Sequence, residues 1–152
     1  MTHTHEDHLD GAARDRLPAD LPVFCQPAVA ETIGEYFEDV RPVYDSREWE
    51  EVAIHRVLAR HGRGTIGERV APSSGSVLET GDRTVYLTGE TVRCDGVERA
   101  LGESDPDVVV ANAGAAQFTE GRPIRLTKRG VAALAGATDA HVVAAHVEAF
   151  DH

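Results

Sequence analysis

Residues 2–8 read THTHEDH, three histidines and two acids within seven positions. In an extended segment side chains alternate from face to face, so His3 and His5 point the same way. A turn after His5 can then carry Asp7 and His8 to a second point nearby. Neutral imidazoles together with a carboxylate are the ligand set of a catalytic zinc-type site. The HxHxDH pattern therefore predicts two adjacent metal positions, His3/His5 at one and Asp7/His8 at the other. A histidine tag would lack the aspartate, and a solvated run of charges is the competing reading.

Such a site needs further ligands, brought by the ends of strands. The chain alternates short strand and helix patterns, which predicts an α/β layered fold. LPVFCQ (21–26) reads as a strand after a Pro-punctuated loop, and PAVAETIGEYF (27–37) as a helix opened by proline. DVRPVYDS (39–46) reads as a short strand and turn, and EEVAIHRVLARHG (50–62) as a strand ending at Gly62. The Gly- and Ser-rich stretch 62–76 reads as a loop. A hairpin turning at Thr80-Gly81-Asp82 spans 76–90. Residues 96–104 read as a helix, 106–114 as a buried strand, 127–137 as a helix capped by Thr127, and 140–150 as another buried strand. Three strand ends then offer His61, Glu90 and His146, and Gly62 and Gly89 let the backbone turn sharply beside them. Ligands that follow separate strands can gather along one edge of a sheet.

Composition narrows the function. The 152 residues suit one domain spanning 1–152, with 41% apolar residues, too many for a disordered chain. The net charge of −11 argues against nucleic acid as a partner. No apolar run is long enough to span a membrane, and no basic-then-apolar leader opens the chain. A cytoplasmic protein acting on a small molecule is the expectation. Cys25 and Cys94 have no CxxC or zinc-ribbon spacing and read as reduced thiols, with a weak ligand role open for Cys94.

THTHEDH matches the signature of the metallo-β-lactamase-fold metal-dependent hydrolases. LPVFCQP, RHGRGTIGE, VYLTGETV, DVVVANAGAAQF and VVAAHVEAFDH resemble, in order and spacing, the branch similar to L-ascorbate-6-phosphate lactonase. The resemblance covers nearly the whole chain. It implies an αββα sandwich in which His3, His5 and His61 hold one metal and Asp7, His8 and His146 a second. Glu90 would bridge them, where the family usually has aspartate. The metals would be zinc, with manganese or iron as alternatives. Family members carry several strands before the HxHxDH segment and a helix and strand after the last histidine. Here only Met1 and Thr2 precede His3 and the chain stops at His152. A partial sandwich truncated at both ends, lacking its N-terminal strands, is therefore expected.

The function implied is hydrolysis of a small ester, lactone or phosphoester by a metal-activated hydroxide, with Asp7 orienting the water as well as ligating. The alternative is a non-catalytic remnant that binds metal weakly or serves as an interaction module. Arg63 and Glu68, in the loop after His61, and Asn112, at the end of the valine strand, are candidates for substrate contact. Asn112 reads equally well as a turn residue. His55 and His141 read as exposed strand residues, His152 as a terminal group that could orient a ligand, and Trp49 as core or strand-edge packing. Missing opening strands would leave an unpaired sheet edge, which predicts homo-oligomers.

Overall fold

A computed structural model of the chain describes residues 1–4, 8–62, 72–114 and 123–147. Helix α1 (Gly11–Arg16) starts where the Asp10 side chain accepts a 2.7 Å hydrogen bond from the Ala13 amide. Strand β1 (Val23–Cys25) leads through a 3₁₀ turn (Pro27–Val29) into α2 (Ala30–Gly34) and back along β2 (Val40–Pro42). Pro27 opens the turn because the first helical position needs no amide donor. β1 and β2 pair in parallel, Val23 opposite Val40. Leu9, Val23, Cys25, Val29, Ile33 and Phe37 form the apolar cluster of this layer.

The second sheet has six strands in chain order: β3 (Ser46–Trp49), β4 (Val52–Leu58), β5 (Ser74–Glu79), β6 (Thr84–Leu87), β7 (Val108–Asn112) and β8 (His141–Ala145). Pairing is antiparallel from β3 to β6 and parallel from β6 to β8. One face is covered by α3 (Asp95–Ser104) and α4 (Lys128–Ala135). Val57, Val77, Tyr86, Val109 and Ala111 from the strands meet Val97, Leu101 and Leu134 from the helices there. At Gly96, α3 lies so close to β4 that a β-carbon would sit 1.9 Å from the Leu58 carbonyl oxygen. Thr127 caps α4 by accepting from the Gly130 amide at 3.1 Å. Among the described residues no helix is long and apolar enough to cross a membrane.

The structure corrects three expectations. Over its described residues, 140–147, the run 140–150 is not a buried strand: among the described residues β8 is the sheet's edge, Ala140 and Val142 pack on the helical layer, and Val143 is 40% exposed. An unbroken apolar run does not reveal whether one face is covered or two. The loop expected over 62–76 gives way to β5 at Ser74. Gly75 suits that crowded position, since a β-carbon would meet the Leu87 and Thr88 carbonyl oxygens at 2.8 Å. Finally, β3 is a strand although all four of its residues are exposed, so no alternating pattern marks it. It forms by pairing across the turn at Glu50 (φ 53°), with Trp49 opposite Val52. Trp49 packs at this edge against Phe24, ring centres 5.3 Å apart.

Candidate metal centre

Strand direction gathers the site. β4 is antiparallel to β5 and β5 to β6, so β4 runs the same way as β6, β7 and β8. The C-terminal ends of these four strands share one sheet edge and deliver His61, Glu90, Asn112 and His146 to it. Two threonines tie the strand exits together. Thr91 Oγ1 accepts from the Arg60 amide at 3.0 Å and donates to the Val92 carbonyl at 2.7 Å, holding the approach to His61 against the segment that follows Glu90. Thr88 Oγ1 donates to the Gly89 carbonyl at 3.0 Å and accepts from the Asn112 amide at 3.2 Å, joining β6 to β7.

The ligand-bearing turns use left-handed backbone. Gly62 has φ 90°, Gly89 φ 63° and His146 φ 55°. For a residue with a β-carbon this conformation costs roughly 1–2 kcal/mol, so His146 is held there by its surroundings. The Ala113 amide donates to the Ala145 carbonyl at 2.9 Å. Gly114 faces His146 so closely that a β-carbon would lie 2.7 Å from the His146 carbonyl oxygen.

His3 arrives from the other layer. The Met1 ammonium donates to the Phe24 carbonyl, and the buried Gln26 side chain donates to the carbonyls of Thr2 and Pro72, both at 2.5 Å. Thr2 Oγ1 lies 2.9 Å from His3 Nδ1, which leaves Nε2 aimed into the site.

Four imidazoles converge on one carboxylate. His3 Nε2 and His61 Nε2 each stand 3.1 Å from Glu90 Oε2. His8 Nε2 and His146 Nε2 stand 3.3 and 3.2 Å from Oε1. Glu90, His3 and His61 are buried, while the side chains of His8 and His146 are each 21% exposed. The ring centres of His3 and His8 are 4.3 Å apart, those of His3 and His61 5.5 Å, and those of His8 and His146 5.3 Å. Burial alone would push the Glu90 carboxyl up. The imidazoles of His3, His61 and His8 that face its oxygens, with the Arg125 guanidinium beside it, outweigh burial and hold it well below the usual carboxylate range.

The donor set fits metal. Ligands at roughly 2.0–2.2 Å from a tetrahedral ion lie about 3.4 Å from one another, and the imidazole–carboxylate distances here run from 3.1 to 3.3 Å. His3, His8 and Glu90 bring one ligand atom each within 4.8 Å of one another. The carboxylate takes two imidazoles on each oxygen.

His5, Asp7, Arg63, Glu68 and His152 lie outside the described residues. Asn112 ends β7 at the same sheet edge, half-buried, and its backbone amide donates to Thr88 Oγ1. His55 pairs with Glu79 at 3.2 Å on β4, and His141 is exposed at the start of β8. Cys94 stands at the N-terminus of α3, 3.8 Å from Thr91 Oγ1, and Cys25 is buried at the end of β1.

Sequence reasoning missed Arg125. Its Nε lies 2.6 Å from Glu90 Oε1 and its Nη1 2.8 Å from His146 Nε2. The signal is local: Arg125 stands at a bend of the chain between Ile124 and Leu126, both of which are buried.

A mixed sheet with helices on one face, a second strand layer, and histidines with a carboxylate at the strand ends together define an α/β fold of the metallo-β-lactamase type. Residues 1–147 match the model of the beta-lactamase superfamily domain, and the chain belongs to that family. It is 25% identical over 160 residues to the UPF0173 protein YddR of Bacillus subtilis (strain 168), covering 100% of this chain and 62% of YddR. Among solved structures, a possible metal-dependent hydrolase from Veillonella parvula DSM 2008 superposes with a TM-score of 0.90 at 31% identity, covering 95% of this chain and 60% of that one. An isothiocyanate hydrolase from Delia radicum gut bacteria gives a TM-score of 0.90 at 28% identity, covering 99% and 62%. The chain thus spans about three fifths of the length of these relatives.

Proposed function

We propose that this chain holds two divalent cations across Glu90 and forms the metal-binding part of a hydrolase that adds water to a small electrophilic substrate. The observation that carries the reading is the sorting of histidines: His3 and His61 on one carboxylate oxygen, His8 and His146 on the other. His5 would join the first pair and Asp7 the second. Nitrogen and oxygen donors favour zinc, with manganese or iron as alternatives. Bound cations would supply a water that ionises near neutral pH and a positive charge beside the electrophile.

The chain's own groups supply the rest. Thr2 fixes the His3 ring, and Glu90 holds the two histidine pairs on opposite sides of one carboxylate. The His3/His61 side is sealed and the His8/His146 side is partly open, so substrate approaches from the second side. Asp7 is assigned to ligate and to orient the attacking water. Asn112, Arg63 and Glu68 are assigned to substrate contact. The substrate classes that fit are esters, lactones and phosphoesters, with a phosphorylated lactone favoured by the resemblance of the strand-end motifs. The relative named an isothiocyanate hydrolase adds another electrophilic carbon to that set.

The test is turnover of such a panel by zinc-loaded protein, with His3→Ala and Glu90→Gln as controls. Hydrolysis of one class, abolished by both substitutions, is expected. Two bound cations with no turnover of any class would leave a metal-binding module and remove the hydrolase.

A further inference from the structure

We propose that Arg125 stands in for the second cation in the metal-free protein, so that the two metal positions fill in a fixed order, His3/His61 first and His8/His146 second. The proposal rests on the two-cation reading of the site and adds to it an internal competitor.

The argument begins with what each group can donate. A guanidinium has five N–H donors and no acceptor. With Arg125 Nη1 2.8 Å from His146 Nε2, that nitrogen must be the unprotonated one, offering its single in-plane lone pair. The same lone pair is what His146 would offer a metal. One lone pair cannot serve both, so ligation by His146 Nε2 requires Arg125 to leave. The 3.2 Å approach of His146 Nε2 to Glu90 Oε1 follows from the same geometry. An unprotonated nitrogen donates nothing to a carboxylate, and Arg125 joins the two acceptors by ion-pairing with Glu90, its Nε 2.6 Å from Oε1, and donating from Nη1 to His146.

The two sides of Glu90 therefore differ. Oε2 meets His3 and His61, while Oε1 meets His8, His146 and the guanidinium, the closest of these contacts at 2.6 Å. Among the described residues, a cation reaching the Oε2 side displaces no arginine or lysine paired there. A cation reaching the Oε1 side must move one that is 11% exposed, ion-paired with Glu90 and hydrogen-bonded to His146. The guanidinium also neutralises a carboxylate that is fully buried and would otherwise face a large desolvation cost without metal. Anchored by buried Ile124 and Leu126, the backbone of Arg125 stays while its long side chain can swing away.

The experiment follows the Arg125 Nε–H signal in ¹H–¹⁵N spectra of the metal-free chain, assigned by its loss in R125K, during titration with zinc alone. A protected signal that persists through the first equivalent and disappears with the second is expected. In parallel, competition with a chromophoric chelator should give two unequal zinc constants in the wild type. R125Q should tighten the weaker constant by about tenfold or more and lower the melting temperature in chelator, with R125K intermediate. If R125Q does not fold, the wild-type titration and R125K decide. A signal lost with the first equivalent, a signal unchanged after two equivalents, or unequal constants left intact by both variants would overturn the ordering while leaving the two-cation site standing. Failure of wild-type protein to bind zinc at all would overturn both.

Discussion

A β-carbon on Gly89 would lie 2.3 Å from the carbonyl oxygen of Ser74. The residue before the central carboxylate is therefore pressed against the first turn of β5, in a backbone conformation (φ 63°) that side chains avoid. Gly89→Ala adds both the left-handed cost and a clash with backbone that cannot rotate away. Destabilisation by about 3 kcal/mol or more is expected, with loss of metal as Glu90 shifts. Gly102→Ala, on α3 with open space around it, should be neutral or stabilise by roughly 0.5–1 kcal/mol. Chemical denaturation of the two variants compares them. Equal stability for both would remove the strained turn as a determinant of the site.

Tyr86 is completely buried, and its hydroxyl has no hydrogen-bond partner among the described residues. Burial pushes the phenol up, with the nearby charges of Cys94 and Glu98 adding to it. A raised phenol contributes stability that is present below the ordinary tyrosine range and is lost as pH rises through it, because the unfolded chain ionises first. Tyr86→Phe should therefore be neutral or stabilising by about 1 kcal/mol at pH 7 and should flatten the decline in melting temperature above about pH 10. Loss of more than about 2 kcal/mol at pH 7 would mean that the hydroxyl has a partner after all.

Metal ligation by imidazole requires the neutral ring, so acid must release metal. Retention of zinc should fall as buffers are taken from pH 7.5 toward pH 5. Glu90 acts only below this series: its lowered carboxyl stabilises the fold above the unfolded carboxylate range and loses that contribution as pH falls from there toward its folded value. Dialysis across this series with metal analysis is the check. Zinc content independent of pH would point to thiolate or non-specific sites.

Among the described residues, β8 pairs on one side only, with β7; Val143 on it is 40% exposed, and Val147, just beyond its end, 56%. An unpaired apolar edge invites self-association. The charge of −11 opposes it, and salt screens that charge within roughly 8–10 Å at 0.1–0.15 M. Light scattering should rise with salt, and Val143→Lys should suppress the rise by placing charge on the edge. A monodisperse monomer at every salt concentration would show the edge to be harmless.

The α/β layering was legible because Val52–Leu58, Val108–Asn112 and Lys128–Ala135 carry strong periodicity or a clear cap. The HxHxDH pattern pointed to His3 and His8, and strand ends to His61, Glu90 and His146, all of which meet in the fold. Helix α1 was missed although Asp10 is a cap signal, because the stretch has no buried residue to give it a stripe. β3 was missed because SREW is exposed throughout, and a strand held by pairing alone leaves no pattern. Exposure of β8 was invisible because valines and alanines read alike whether or not something covers them. Arg125 escaped because a lone arginine in a loop acquires meaning only when Glu90 lies 2.6 Å away.

Two cations straddling Glu90 are the centre of this reading, and anomalous diffraction at the zinc edge from zinc-loaded crystals addresses them directly. Two peaks about 3.5–4 Å apart are expected, one beside His3 and His61 and the other beside His8 and His146, with Arg125 turned out of the second. A single peak, or density remote from Glu90, would contradict it.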